Sequence, residues 1–213
     1  MSRRFFVMPL AAAVLFAFLG GCADAPVTIA DVPWHAIDAG GKAAPGDSGA
    51  EAVTSGDCDL PDCRPWRYIV IHHSAGESGS ASAFDALHRE RGWDGLGYHF
   101  VIDNGNGGPD GRVEVGQRWQ LQKWGAHTGG TPDNAYNNFG IGICLVGDFT
   151  RHAPSQAQLA SLDRLVSDLC RKYGIAPQDV IGHRDAPDAR TECPGDMLYS
   201  YVHGTLRTNL EKQ

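Results

Sequence analysis

Six side chains between residues 72 and 193 carry the chemistry of a metal site: His72, His73, His99, His127, His183 and Cys193. Neutral imidazole and thiolate are the donors a borderline-soft divalent metal takes. A catalytic zinc keeps three protein ligands and leaves one position open. His183 and Cys193 stand ten residues apart, with Pro187 and Pro194 in the same stretch, a spacing that suits two ligands on one loop. His72 closes an apolar run, so a third ligand at a strand end could point into the same cleft. No local motif joins His72 to the other two, and an isolated histidine is more often a structural residue than a ligand.

The elements that must position these groups alternate along the chain. Residues 67–73 (RYIVIHH) read as a central strand. Ser82 reads as a helix cap with Asp85 three residues on; Phe84, Leu87 and His88 share a face, and Gly92 ends the helix. A second strand is expected over 97–102, a glycine-rich turn over 104–111 and a returning hairpin strand over 112–115. Residues 141–146 form a short apolar strand. Ser155 opens the clearest helix, with Leu159, Leu162, Leu165, Val166, Leu169, Cys170 and Tyr173 at helical spacing and Gly174 as its stop. Val180 and Ile181 make a short strand before Gly182-His183-Arg184-Asp185, and a last helix is expected over 195–210. The implied class is α/β, a single domain with a mixed central sheet flanked by helices.

Composition narrows the function classes. Lys and Arg number 18 against 25 Asp and Glu, a net charge of −7. That balance disfavours a nucleic-acid partner held through phosphates, and equally a basic helix on a membrane surface.

The first residues read as an address. Arg3 and Arg4 precede an apolar run over 5–18, too short to span a bilayer but suited to an export signal. Leu19-Gly20-Gly21-Cys22 resembles a bacterial lipobox, which implies cleavage before Cys22 and lipidation of its thiol. Simple secretion, with Ala23-Asp24-Ala25 as the cleavage site, is the alternative. The expected divisions are a lipoprotein signal peptide at 1–21, an acidic Ala/Gly/Pro-rich tether at 22–60 and a folded domain at 61–213. The expected location is the periplasmic face of the outer membrane or the cell envelope. Among the other cysteines, Cys58 and Cys63 suit a local disulfide in an exported protein, whereas Cys144 and Cys170 read as small buried hydrophobes.

Five ordered blocks carry a resemblance: RYIVIHHS (67–74), GWDGLGYHFVID (92–103), WGAHTGG (124–130), NNFGIGICLVGDF (137–149) and GHRDAPDARTECPG (182–195). Together they are similar to the zinc N-acetylmuramoyl-L-alanine amidases, the family of phage lysozyme-amidases and animal peptidoglycan-recognition proteins. The resemblance implies a mixed sheet flanked by helices, with one zinc ion at the floor of a surface groove that binds peptidoglycan. It implies hydrolysis of the amide between N-acetylmuramic acid and L-alanine, in cell-wall remodelling or turnover.

Transferred residue by residue, the family's metal ligands fall on His72, His183 and Cys193. Its active-site tyrosine falls on Tyr98, and the position facing the reacting carbonyl on Thr191. His127 is the implied substrate contact. A cytosolic branch of the family carries Asp as third ligand and Glu on the apolar strand; here those positions are Cys193 and Cys144, so no strand carboxylate is available as a base. An unperturbed phenol near pKa 10 is a poor free base at neutral pH, and a neutral Thr191 would stabilise an oxyanion by one hydrogen bond. Trp93, Trp119 and Trp124 could line a sugar groove, although core packing is the default. All three implied ligands are present, which favours an active enzyme over a peptidoglycan receptor with structural zinc, and a lipid anchor on Cys22 would suit a wall-directed toxin poorly. The protein is expected to act as a monomer, tethered to a membrane through Cys22.

Overall fold

The computed structural model describes residues 64–213. Cys22, the tether and the Cys58–Cys63 pair lie outside the described residues.

Five strands build one sheet. They are β1 (Tyr68–His73), β2 (Phe100–Ile102), β3 (Val113–Val115), β4 (Gly140–Leu145) and β5 (Val180–Gly182), in the spatial order β3-β2-β4-β1-β5. All neighbours pair in parallel except the β2–β3 hairpin. The mixed sheet flanked by helices is therefore the observed architecture. Parallel neighbours need long crossovers, and the helices supply them.

Strand period two decides what each face carries. Along β4 the residues Ile141, Ile143 and Leu145 point to one side, with Ile69, Ile71, Phe100 and Ile102 of the neighbouring strands. Against this face pack α4 (Gln156–Tyr173) and the C-terminal helices. Leu162, Leu165 and Val166 of α4 are fully buried there, and each such side chain contributes about 1.5–3 kcal/mol on leaving water. The opposite face of β4 carries Gly140, Gly142 and Cys144. It is covered by a smaller cluster of Leu96, Val101, Cys144 and Val146, with Phe84 of α1 (Ala81–Glu90) and Tyr98 against it. This thinner face holds the candidate site.

Helix caps follow the sequence with one correction. Ser155 caps α4 in a reciprocal box with Gln158, and Gly174 closes it at φ 65°. A left-handed stop of this kind favours glycine, which has no Cβ to clash. For α1 the cap is Ser80, not Ser82: the Ser80 hydroxyl accepts from the Ala83 amide, and Ser82 bonds instead to Ser80. β2 begins at Phe100 rather than at 97, because its approach bonds to scattered partners: the Ala126 amide donates to the Gly97 carbonyl and the His99 amide to that of Gly142. Two short helices, α2 (Gln117–Gln120) and α3 (Ala135–Asn138), lay below the resolution of periodicity. The last helix runs as α5 (Asp196–Tyr201), a π-helical turn (Val202–Leu206) and α6 (Arg207–Leu210).

Candidate functional site

Strand order brings the three donors together. β1 lies between β4 and β5, so His72 at the end of β1 faces Cys144 in register on one side. On the other side Ile71 pairs with Gly182, and His183 follows directly. The loop after β5 then returns Cys193 to the same point. The donor atoms of His72, His183 and Cys193 all lie within 4.8 Å of one another. His72 Nδ1 stands 3.6 Å from Cys193 Sγ, and the two imidazole centres are 4.6 Å apart.

The loop from His183 to Gly195 is held at several points. The Arg184 amide donates to the Cys193 carbonyl at 2.9 Å, and the Cys193 amide donates to Thr191 Oγ1 at 3.1 Å. The Arg184 guanidinium reaches the Glu192 carbonyl and the Asp196 carboxylate. Asp185 acts as a clasp: its carboxylate accepts from the Gly182 amide, Tyr199 Oη and His203 Nε2 at 2.8–2.9 Å. Asp185 thereby fixes the start of the loop that carries His183. The clasp partners Tyr199 and His203 carried no sequence signal, because they meet Asp185 only through the last helix.

Electrostatics keep the donors neutral in the absence of a metal. Burial pushes the His72 imidazole well below its ordinary pKa, and the neighbouring rings of His127, His183 and His73 push the same way. Burial also lowers His183. The Cys193 thiol is pushed up to about 12 by burial, against the opposing pull of the His73 amide and Arg184. That amide points at Sγ from 3.4 Å, as a donor to a thiolate would.

Tyr98 lies beside this group, its ring centre 5.2 Å from that of His72. Burial raises its pKa well above 10, and the neighbouring Cys144 and Cys193 thiols push the same way. Its hydroxyl therefore holds its proton at neutral pH. Thr191 accepts from the Cys193 amide, which leaves its own proton available to a further acceptor. His127 is 8% exposed, with both ring nitrogens engaged inside the protein. Its Nδ1 is 3.1 Å from His72 Nε2 and 2.8 Å from Thr128 Oγ1, and its Nε2 is 3.3 Å from the Gly140 carbonyl. The ring sinks onto the sheet because Gly142 leaves that place on β4 bare.

The remaining histidines take structural positions. His73 Nδ1 accepts from the Phe149 amide. His99 Nδ1 accepts from the Gly142 amide and its Nε2 meets the Lys123 carbonyl, with burial lowering its pKa to about 4. His88 Nδ1 accepts from the Gly97 amide. Trp119 packs on Phe100 and against Trp66, whereas Trp93 and Trp124 are largely exposed. Trp93 packs at a tilt against His88, whose ring is 5.7 Å from Tyr98. Cys144 is fully buried as expected, and Cys170 is half-buried.

Fold and donors together define a class: a mixed α/β domain with a largely buried His-His-Cys group that could hold a metal ion. The family is narrower. Residues 62–196 match the family described as N-acetylmuramoyl-L-alanine amidase, and the chain belongs to that family. Among curated relatives, peptidoglycan recognition protein 1 of Bos indicus is 34% identical over 149 residues, 65% of this chain and 72% of that protein. An N-acetylmuramoyl-L-alanine amidase of Sus scrofa is 34% identical over 160 residues, 68% of this chain but 24% of that longer protein. Among solved structures, the amidase LysC of Clostridium intestinale aligns with a TM-score of 0.58 and 29% identity, covering 70% of this chain and 87% of LysC. The human peptidoglycan recognition protein Iβ C-terminal domain, solved with a glycosamyl muramyl pentapeptide, aligns at 0.53 and 27% identity, covering 67% and 87%.

Proposed function

We propose that this protein is a zinc-dependent N-acetylmuramoyl-L-alanine amidase that cleaves the bond between N-acetylmuramic acid and L-alanine in peptidoglycan. The observation that carries the reading is the convergence of three donors of the right kind within 4.8 Å of one another. With Zn–N near 2.0 Å and Zn–S near 2.3 Å, tetrahedral geometry requires an N···S separation of about 3.5 Å. The 3.6 Å between His72 Nδ1 and Cys193 Sγ fits that requirement. Two neutral imidazoles and one thiolate also suit zinc over harder cations.

Zinc in such a site supplies Lewis acidity toward a carbonyl oxygen and toward water. The chain's own residues do the rest. His72, His183 and Cys193 bind the ion. Tyr98, protonated at neutral pH, orients the reacting groups as a donor from Oη and is not a free base. Thr191 directs its hydroxyl proton toward the carbonyl oxygen as charge develops there, a contribution that grows in the transition state. Trp93, exposed beside His88 and Tyr98, offers an aromatic wall to a sugar or stem peptide.

The sequence supports an exported protein held to a membrane by a lipid on Cys22, where it would meet its substrate in the cell envelope. The test of function is direct. The protein is incubated with zinc and isolated peptidoglycan, and new L-alanine amino termini are counted by mass spectrometry. The expected result is new termini that vanish with a chelator and in Cys193→Ser. A protein that retains zinc and cosediments with peptidoglycan, yet releases no termini, would instead be a peptidoglycan receptor.

A further inference from the structure

His127 lies behind a ligand, and its surroundings determine which proton each ring carries. The nitrogen of His72 that faces Cys193 Sγ is Nδ1. For Nδ1 to offer a lone pair, a neutral His72 must keep its proton on Nε2. That Nε2 lies 3.1 Å from His127 Nδ1, which must then accept. A neutral His127 that accepts at Nδ1 carries its proton on Nε2, where the Gly140 carbonyl lies 3.3 Å away. The opposite assignment is self-consistent only with the metal excluded. A proton on His127 Nδ1 would turn toward Thr128 Oγ1 at 2.8 Å, and His72 would have to move its own proton to Nδ1.

The scaffold around His127 is built for one pose. The His127 and Thr128 amides both donate to Asn137 Oδ1, at 2.8 and 3.0 Å, and Asn137 Nδ2 returns a bond to the Thr128 carbonyl at 2.9 Å. A Cβ at Gly142 or at Gly125 would collide with the imidazole, so both glycines make its space. Both rings are buried, with His72 1% exposed.

We propose that His127 is a positioning residue: its Nδ1 accepts the Nε2 proton of His72, and the Gly140 carbonyl holds the His127 proton on Nε2. His72 thereby presents a bare Nδ1 toward His183 and Cys193. This inference rests on the zinc reading above. It gives His127 a role through His72 in place of direct contact with substrate. Partners behind a histidine ligand characteristically fix its tautomer and ring angle, and losing one weakens metal binding about 10–100-fold.

The test measures zinc affinity by chelator competition in the wild type, His127→Leu and His127→Asn, each checked for folding by thermal melting without metal. His127→Leu removes the acceptor and is expected to bind zinc about 10–100-fold more weakly. His127→Asn carries an amide oxygen near the place of Nδ1 and is expected to recover most of that loss. An unchanged affinity in His127→Leu, or no recovery in His127→Asn, overturns the proposal. Ring-nitrogen NMR of the zinc-loaded wild type supplies a readout free of any variant: the His127 proton is expected on Nε2, and finding it on Nδ1 overturns the proposal. A wild type that binds no zinc defeats the zinc reading and this inference with it. A wild type that binds zinc while His127→Leu binds equally well defeats this inference alone.

Discussion

The ring of Tyr98 lies 5.2 Å, centre to centre, from that of His72, and it packs against the cluster that holds Cys144, the register partner of His72 on β4. The phenol is thus tied to the sheet that carries the first ligand, yet it is no ligand itself. Tyr98→Phe keeps the ring and removes the hydroxyl. Hydrolysis is expected to fall by about 10²–10³-fold, the usual scale for losing one positioned hydrogen-bond donor. Zinc affinity should be unchanged. Turnover on peptidoglycan alongside chelator competition separates the two effects. A matching loss of zinc would show that the tyrosine supports the metal and not the chemistry.

Gly142 sits in the middle of β4, paired with Val70 of β1 on one side and hydrogen-bonded to His99 on the other. A methyl group there would meet the His127 ring. Gly142→Ala should therefore destabilise the fold by about 1–3 kcal/mol through overpacking. Zinc affinity should drop with it, because His127 must swing away from His72. Denaturant melts of the metal-free protein give the first effect, and a zinc titration gives the second.

Asp103 is fully buried after β2, where its carboxylate meets the Arg112 guanidinium at 2.9 Å. Burial and the neighbouring Glu114 outweigh that arginine and raise the Asp103 pKa to about 7. A folded-state pKa above the unfolded one means the fold binds this proton more tightly. The associated stability is present below the unfolded carboxylate range and is lost as pH rises through about 7. Relative to wild type, Asp103→Asn should gain stability between pH 4 and 8. The difference between the two melting curves isolates Asp103, because the buried histidines with lowered pKa values act in the opposite direction. A difference that does not vary with pH would refute the assignment.

Ser155 accepts from the Gln158 amide at 3.0 Å and donates to Asp110 at 2.7 Å. Ser155→Ala should cost about 1 kcal/mol through the lost cap. Turnover and zinc affinity should be unchanged, since α4 packs on the sheet face opposite the site. The denaturation midpoint and the hydrolysis rate, measured on the same preparation, check both halves.

Much of the scaffold was legible because its signals are local. The apolar run ending at His72, the short apolar strand expected over 141–146 and found at Gly140–Leu145, and the Ser155–Gly174 bracket around α4 each follow from composition, periodicity and caps read within a few residues. Short elements such as α2 and α3 escaped because one helical turn is too brief to show a period. The cap of α1 fell on Ser80 and not on its neighbour Ser82, a choice between like residues that backbone geometry made.

The sequence by itself determined the donor types, the loop that could carry two of them, and, through five ordered motifs, the family whose ligands these positions match. It did not determine that His72 and Cys193, separated by 121 positions, would stand 3.6 Å apart. That depends on β1 pairing between β4 and β5, a non-local choice made when the sheet buried its apolar face. Only the tertiary structure turned His127 from a motif residue into the neighbour of a ligand. The contact spans 55 positions and exists because Gly142 on the sheet and Gly125 beside it leave room for the ring and Asn137 fixes the backbone next to it.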